Sequence, residues 1–149
     1  MREILFRGKR SDGKWVFGSL LKVTFDGTTY NLIFADNFLF VFGQATAMEH
    51  AAVITETVGQ FTGLTDKNGK KIFEGDILKN TFFTNPSIGV VKFGGHNPNG
   101  MDCADYSIGF FVDWNDDFLR NDLLSWIEKA TAEVIGNIHD NPELLEVSE

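Results

Sequence analysis

The sequence predicts a mostly β protein built of short antiparallel strands, with one or two short helices near the C-terminus. Three observations carry that prediction. Asp-Gly or Asn-Gly dipeptides stand between apolar stretches at Asp12-Gly13, Asp26-Gly27 and Asn68-Gly69, and this pairing supplies the positive φ that tight hairpin turns require. A single long stretch, Asp116–Lys129, carries apolar residues at helical spacing. A pattern near the N-terminus also returns some 55 residues later. Phe6, Gly8, Asp12, Gly13, Lys14, Val16, Phe17, Gly18, Leu20, Leu21 and Lys22 reappear in order as Phe61, Gly63, Asn68, Gly69, Lys70, Ile72, Phe73, Gly75, Ile77, Leu78 and Lys79. Small gaps separate the copies, among them the extra Glu74, and Ser19 becomes Asp76.

Glu3–Phe6 and Trp15–Val23 read as strands joined at Ser11-Asp12-Gly13. Asp26-Gly27 then leads into Thr29–Phe34, whose Thr, Tyr, Ile and Phe favour a strand. Asp36-Asn37 separates this from Phe38–Phe42, which would complete a second apolar hairpin. Gln44–His50 lacks clear periodicity and reads as a loop or single helical turn, and Ala52–Thr55 as a short strand. In the second copy Gly59–Leu64, the turn Asp66-Lys67-Asn68-Gly69 and Lys71–Phe73 form a hairpin. Glu74-Gly75-Asp76 breaks the run before Ile77–Asn80. Gly89–Phe93 is expected to pair with that strand, in the order in which small SH3-like barrels are written. Ser107–Trp114 is a further strand.

In the helix candidate, Leu119, Leu123, Trp126 and Ile127 share one face, and Asp116 and Asp117 open it where the dipole favours negative charge. Glu133–Ile138 closes the strand set. Asn141-Pro142-Glu143 reads as an N-cap followed by Pro at the first helical position, starting a short turn through Leu145.

The chain has 149 residues, 43% of them hydrophobic and fifteen of them Phe. That fits one domain or two small lobes sharing a core, with the lobes at 1–58 and 59–149. Each buried aromatic removes roughly 150–250 Å² from water, so no disulfide or metal staple is needed. The lone Cys103 cannot form an intrachain disulfide, and a reducing cytoplasm is the simplest setting. No signal peptide is read at Met1–Arg2–Glu3, and no stretch reaches the ~18 apolar residues of a membrane helix. The formal charge of −8 disfavours non-specific nucleic-acid binding. It is unevenly spread: Arg2, Arg7, Lys9, Arg10 and Lys14 are basic, as are Lys67, Lys70, Lys71 and Lys79, whereas carboxylates concentrate from Asp102 onward.

With these residues in view, GQFTGLTDKNGKKIFEGDILK from Gly59, then Gly89–Phe93, then EVIGNIHDNPELLE at Glu133–Glu146, resemble the YopX family of phage and prophage proteins. MREILFRGKR and Trp15 through Leu21 resemble that family's start, so the likeness touches nearly the whole chain. It implies a largely β structure with an SH3-like component and a home in a bacterial host cytoplasm. It offers no established activity and no catalytic residues. The matching positions Gly63, Asp66, Gly69, Gly75, Asp76, Gly136, Asn137 and Asn141 are turn and cap residues, to which the turn pattern adds Gly13 and Asn68.

Candidate chemistry is thin. An EF-hand started at Asp66 would put Gly69 at position 4 and Ile77 at position 12, where Gly at 6 and Glu at 12 are required. Asp76 suits a corner-pinning role better than a cleft carboxylate beside Glu74. His50, His96 and His139 are too scattered for a zinc motif. His96 with Asp102, Cys103 and Asp105 is the one mixed cluster, read first as a loop His and a small buried thiol. Asp113, Asp116 and Asp117 read as capping and solvated carboxylates. No phosphate loop is present. No cofactor or metal is therefore expected, and the leading expectation is a non-enzymatic module binding a protein partner or itself, with Arg7, Lys67, Lys70, Lys71 and Glu74 as candidate contacts. The first alternative is a nucleic-acid-binding barrel, stacking bases on Phe61, Phe73, Trp15 and Phe17. The second is a hydrolase or nuclease around His96, Asp102 and Asp105.

Overall fold

The structure is a computed structural model and describes residues 3–35, 49–82, 84–98, 106–115, 122–123, 127 and 131–146. Among them the chain forms ten strands, all paired antiparallel, and very little helix. It divides into two compact units, Met1–Phe61 and Thr62–Glu149.

In the first unit, β1 (Phe6–Lys9) pairs with β2 (Trp15–Phe25), and β2 with β3 (Thr28–Phe34). β4 (Ala52–Val53) pairs with the far side of β3. Gln60 and Gly59, which open β5 (Gly59–Thr65), pair with Phe6 and Arg7 on the far side of β1. The turns stand where the sequence placed them. At the β2–β3 turn both Asp26 and Gly27 have positive φ, 48° and 72°, which matches the right-handed twist of the strands it joins. Leu32, Ile33 and Ala51 are buried. Asn31, also buried, donates from Nδ2 to Thr55 Oγ1 at 3.0 Å. The single helical turn expected within Gln44–His50 is found at residues 49–51, and the strand expected over Ala52–Thr55 stops at Val53, before a 3-10 turn at Thr55–Thr57. Asp36, Asn37 and Phe38–Phe42 lie outside the described residues.

In the second unit the remainder of β5 turns into β6 (Lys71–Phe73). A second sheet follows with the order β10 (Ala132–Asn137), β7 (Asp76–Asn80), β8 (Ser87–His96), β9 (Ser107–Trp114). Its core is Ile72, Leu78, Val91, Val112, Trp114, Leu123 and Ala132, with Leu64, Phe110, Ile127 and Val134 packed against it. Each fully buried Leu, Ile or Val contributes about 1.5–3 kcal/mol. Leu123 and Ile127 are helical and reach this core, as their spacing predicts. Leu119, Trp126, Asp116 and Asp117 lie outside the described residues. The small SH3-like barrel is not formed among the described residues: neither sheet closes, and β10 and β9 stand at opposite ends of theirs. The reason is local. Glu74 and Gly75 turn the chain so that β7 leaves β6 and joins a different sheet.

Candidate functional site

The turn residues singled out in the sequence carry two nearly identical backbone turns. In the first, Arg10 N–H donates to Lys14 C=O and Gly13 N–H to Arg10 C=O, both at 2.9 Å. In the second, Asp66 N–H donates to Lys70 C=O at 2.8 Å and Gly69 N–H to Asp66 C=O at 2.9 Å. Gly13 and Gly69 have φ of 84° and 80°, values open to Gly at little cost.

The side chains at the first turn position differ. Arg10 forms an ion pair with Asp12 at 3.3 Å. Asp66 is buried and accepts three backbone N–H bonds: Asn68 and Lys70 on Oδ1 at 2.8 and 2.9 Å, and Val134 on Oδ2 at 3.0 Å. Burial pushes the Asp66 carboxyl up, but the N–H groups of Val134, Lys70 and Asn68 and the Lys70 charge outweigh it. Its pKa is held below the usual carboxylate value. Lys67 joins the same link, pairing with Glu133 at 2.7 Å. Asp66 therefore fastens the β5–β6 turn to β10. Asn68 and Gly69 complete the turn, and Gly63 sits within β5 at φ 88°.

Asp76 is fully buried, and its Oδ2 accepts the Phe73 N–H at 2.8 Å across the Glu74-Gly75 turn. Gly75, at φ 83°, donates to Val91 C=O at 2.8 Å and accepts from Ile138 N–H at 3.0 Å. Asp76 thus ties the two sides of the Glu74-Gly75 turn together. Gly136 follows a bulge in β10, where a Cβ would stand 2.5 Å from Asn141 Oδ1. Asn141 does not cap the 3-10 turn Pro142–Leu145 with its side chain as expected. Its Oδ1 instead faces back to the Asn137 N–H at 3.4 Å. Asn137 holds that corner, accepting from His139 and Asp140 N–H at 3.0 Å each.

The candidate contact residues fall differently. Arg7 is buried, its guanidinium carbon 5.0 Å from the centroid of Trp15. Lys70 and Lys71 are exposed and Glu74 half-buried. Of the four proposed stacking rings, Phe61 and Phe73 are buried, Trp15 is half-buried and Phe17 is exposed. His96 stacks on Phe111 at 4.8 Å, while Asp102, Cys103 and Asp105 lie outside the described residues. Among the described residues, no group of three or more His, Cys, Asp or Glu side chains is placed to hold a metal ion. Nor is any helix among them long and apolar enough to cross a membrane.

Two surfaces escaped the sequence reading. The β8–β9 ribbon carries on one face the paired residues Val91 and Val112, then Phe93 and Phe110, then Gly95 and Ile108. The first pair is fully buried, but Phe93 is 55% and Ile108 75% exposed. Phe93 and Phe110 meet edge to face at 5.0 Å. The opposite face carries the Lys92–Asp113 ion pair and the His96–Phe111 stack. The second surface is a hollow of about 310 Å³ in the first unit, lined among the described residues by Phe25, Tyr30, Glu49 and Ala52. Strand alternation marks Phe93 and Ile108 as sharing a face, but the point where the core stops is a tertiary fact.

A family profile described as YopX protein matches residues 5–146, which takes in both units. The chain belongs to the YopX family. A solved structure, protein EF1440 from Enterococcus faecalis, is similar at 22% identity over 97% of this chain and 99% of that one, with a TM-score of 0.47. Among curated protein sequences none matches.

Proposed function

We propose that this YopX-family chain is a phage- or prophage-encoded, non-enzymatic interaction module acting in the bacterial host cytoplasm. Its contact is the outer half of the β8–β9 ribbon. One observation carries the reading: the core-facing side of the ribbon continues past its core as exposed apolar surface. Phe93 and Ile108 lie exposed on the face that Val91 and Val112 bury, with the half-buried Phe110 at the edge of the core between them. Contiguous apolar surface of this kind is what protein interfaces cover. β9 is also the last strand of its sheet, bridged on its outer side at Phe111 by Asp122 among the described residues. An open strand end offers N–H and C=O groups to a partner strand.

The test has two arms. Light scattering over a wide concentration range reads self-association, and Phe93→Ser and Ile108→Ser should abolish any dimer. A photocrosslinker at position 108, with one at Lys22 as control, reads a different partner in lysogenic cells. A discrete product specific to position 108 and lost with Phe93→Ser supports the reading. A strict monomer that crosslinks no differently at the two positions overturns it.

A further inference from the structure

We infer that the hollow beside the β2–β3 turn is a receptor for a cationic side chain, lysine or arginine, of a protein partner. Register brings its lining together. Tyr30 pairs with Val23, two residues before Phe25, and Ala52 pairs with Leu32, two residues after Tyr30. Side chains two apart on a strand share a face, so Phe25, Tyr30 and Ala52 share one. Glu49 arrives on the helical residues immediately before β4. Phe25 is 72% and Tyr30 43% exposed.

Glu49 is exposed, and among the described residues no hydrogen bond or ion pair engages it. A neutral apolar group would fill the hollow but make no use of that carboxylate, which would stay paired only with water. An anion would be repelled by it, on a chain of net charge −8. A cation on an apolar stem satisfies both features: methylenes lie on the rings, the head meets Glu49, and aromatic faces attract cations. One ion pair and two rings bind weakly alone, which suits a side chain delivered by a larger partner rather than a free metabolite. The inference stands on the hollow and does not depend on the ribbon.

The experiment titrates the isotope-labelled full chain with Nα-acetyl-lysinamide, Nα-acetyl-argininamide and the uncharged Nα-acetyl-norleucinamide, following amide resonances. Both cations should give saturable, millimolar shifts confined to residues 25–30 and 49–52. Glu49→Gln should weaken the cations about three- to five-fold, the scale of an exposed ion pair, and leave norleucinamide unchanged. Phe25→Ser should weaken all three. Both substituted residues are exposed, so a retained spectrum certifies the fold. Equal response to norleucinamide and lysinamide, insensitivity to Glu49→Gln, or shifts only elsewhere would overturn the inference. None of these outcomes bears on light scattering or crosslinking at the ribbon.

Discussion

The Asp12-Gly13 and Asn68-Gly69 hairpins close with the same backbone bonds and then part company. After the first, β2 runs unbroken for 11 residues, pairing with β1 over Trp15–Gly18 and with β3 from Ser19 to Phe25. After the second, β6 stops at three residues, and Glu74-Gly75 redirects the chain into another sheet. Where the first turn begins with Arg10 and its ion pair to Asp12, the second begins with a buried carboxylate holding a strand 68 residues away. One turn shape can thus be a local reversal or a fastening point, and the side chain at its first position decides which.

The sharpest way to break the comparison lies at its point of divergence. A Cβ at Gly18 would stand 1.8 Å from the Phe34 carbonyl oxygen. Gly18→Ala should therefore cost about 3–5 kcal/mol by forcing β2 from β3, within the range of severe single substitutions. Hydrogen exchange, which reads regions separately, should show the loss in residues 15–34. Gly75→Ala, at φ 83°, forces a side chain into an unfavourable backbone region and should cost about 1–2 kcal/mol. Equal costs would mean that the two positions are not distinguished as described.

Next in size is Asp66→Ala. Removing a buried acceptor of three N–H bonds should cost about 2–4 kcal/mol, against less than about 0.5 kcal/mol for Arg10→Ala. Denaturant titration measures both. Its pH dependence follows from the lowered pKa of Asp66. A depressed folded pKa gives stability that is complete above the unfolded value and lost as pH falls through the folded one. The gap between wild type and Asp66→Asn should stay constant from neutral pH down to about 5, then narrow below about 4. A gap that widens on acidification would contradict the sign. A smaller pair of effects sharpens the likeness instead: Gly13→Ala and Gly69→Ala meet no neighbour within 4 Å. Each should cost about 1 kcal/mol, equal within about 0.5.

The strands and Asx-Gly turns were legible because they rest on alternation and on local φ requirements. β6 lies where the sequence placed it, at Lys71–Phe73, and the Ser107–Trp114 strand does too. β1 shifted to Phe6–Lys9 from Glu3–Phe6, since pairing with β2 and β5 sets its register. Less local facts were not legible. Glu74-Gly75-Asp76 reads as a break in the strand run, but only sheet membership shows that the break sends β7 into a different sheet from β6. Asp66 reads as a turn former, which it is, but its bond to Val134 has no local signature. The hollow was missed because Phe25 and Tyr30 are ordinary strand residues until register sets them on one face with Ala52.

The bond from Val134 to Asp66 also sets a schedule. At about 5–20 residues per second, synthesis delivers Val134 roughly 3–14 s after Asp66, while a hairpin forms in about 1–10 μs. The second hairpin therefore waits at the ribosome with one carboxylate oxygen turned to water and its turn unfastened. Only when the penultimate segment emerges can the knot be tied, so a nascent chain halted before β10 should show a loose β5–β6 turn beside an already ordered first hairpin.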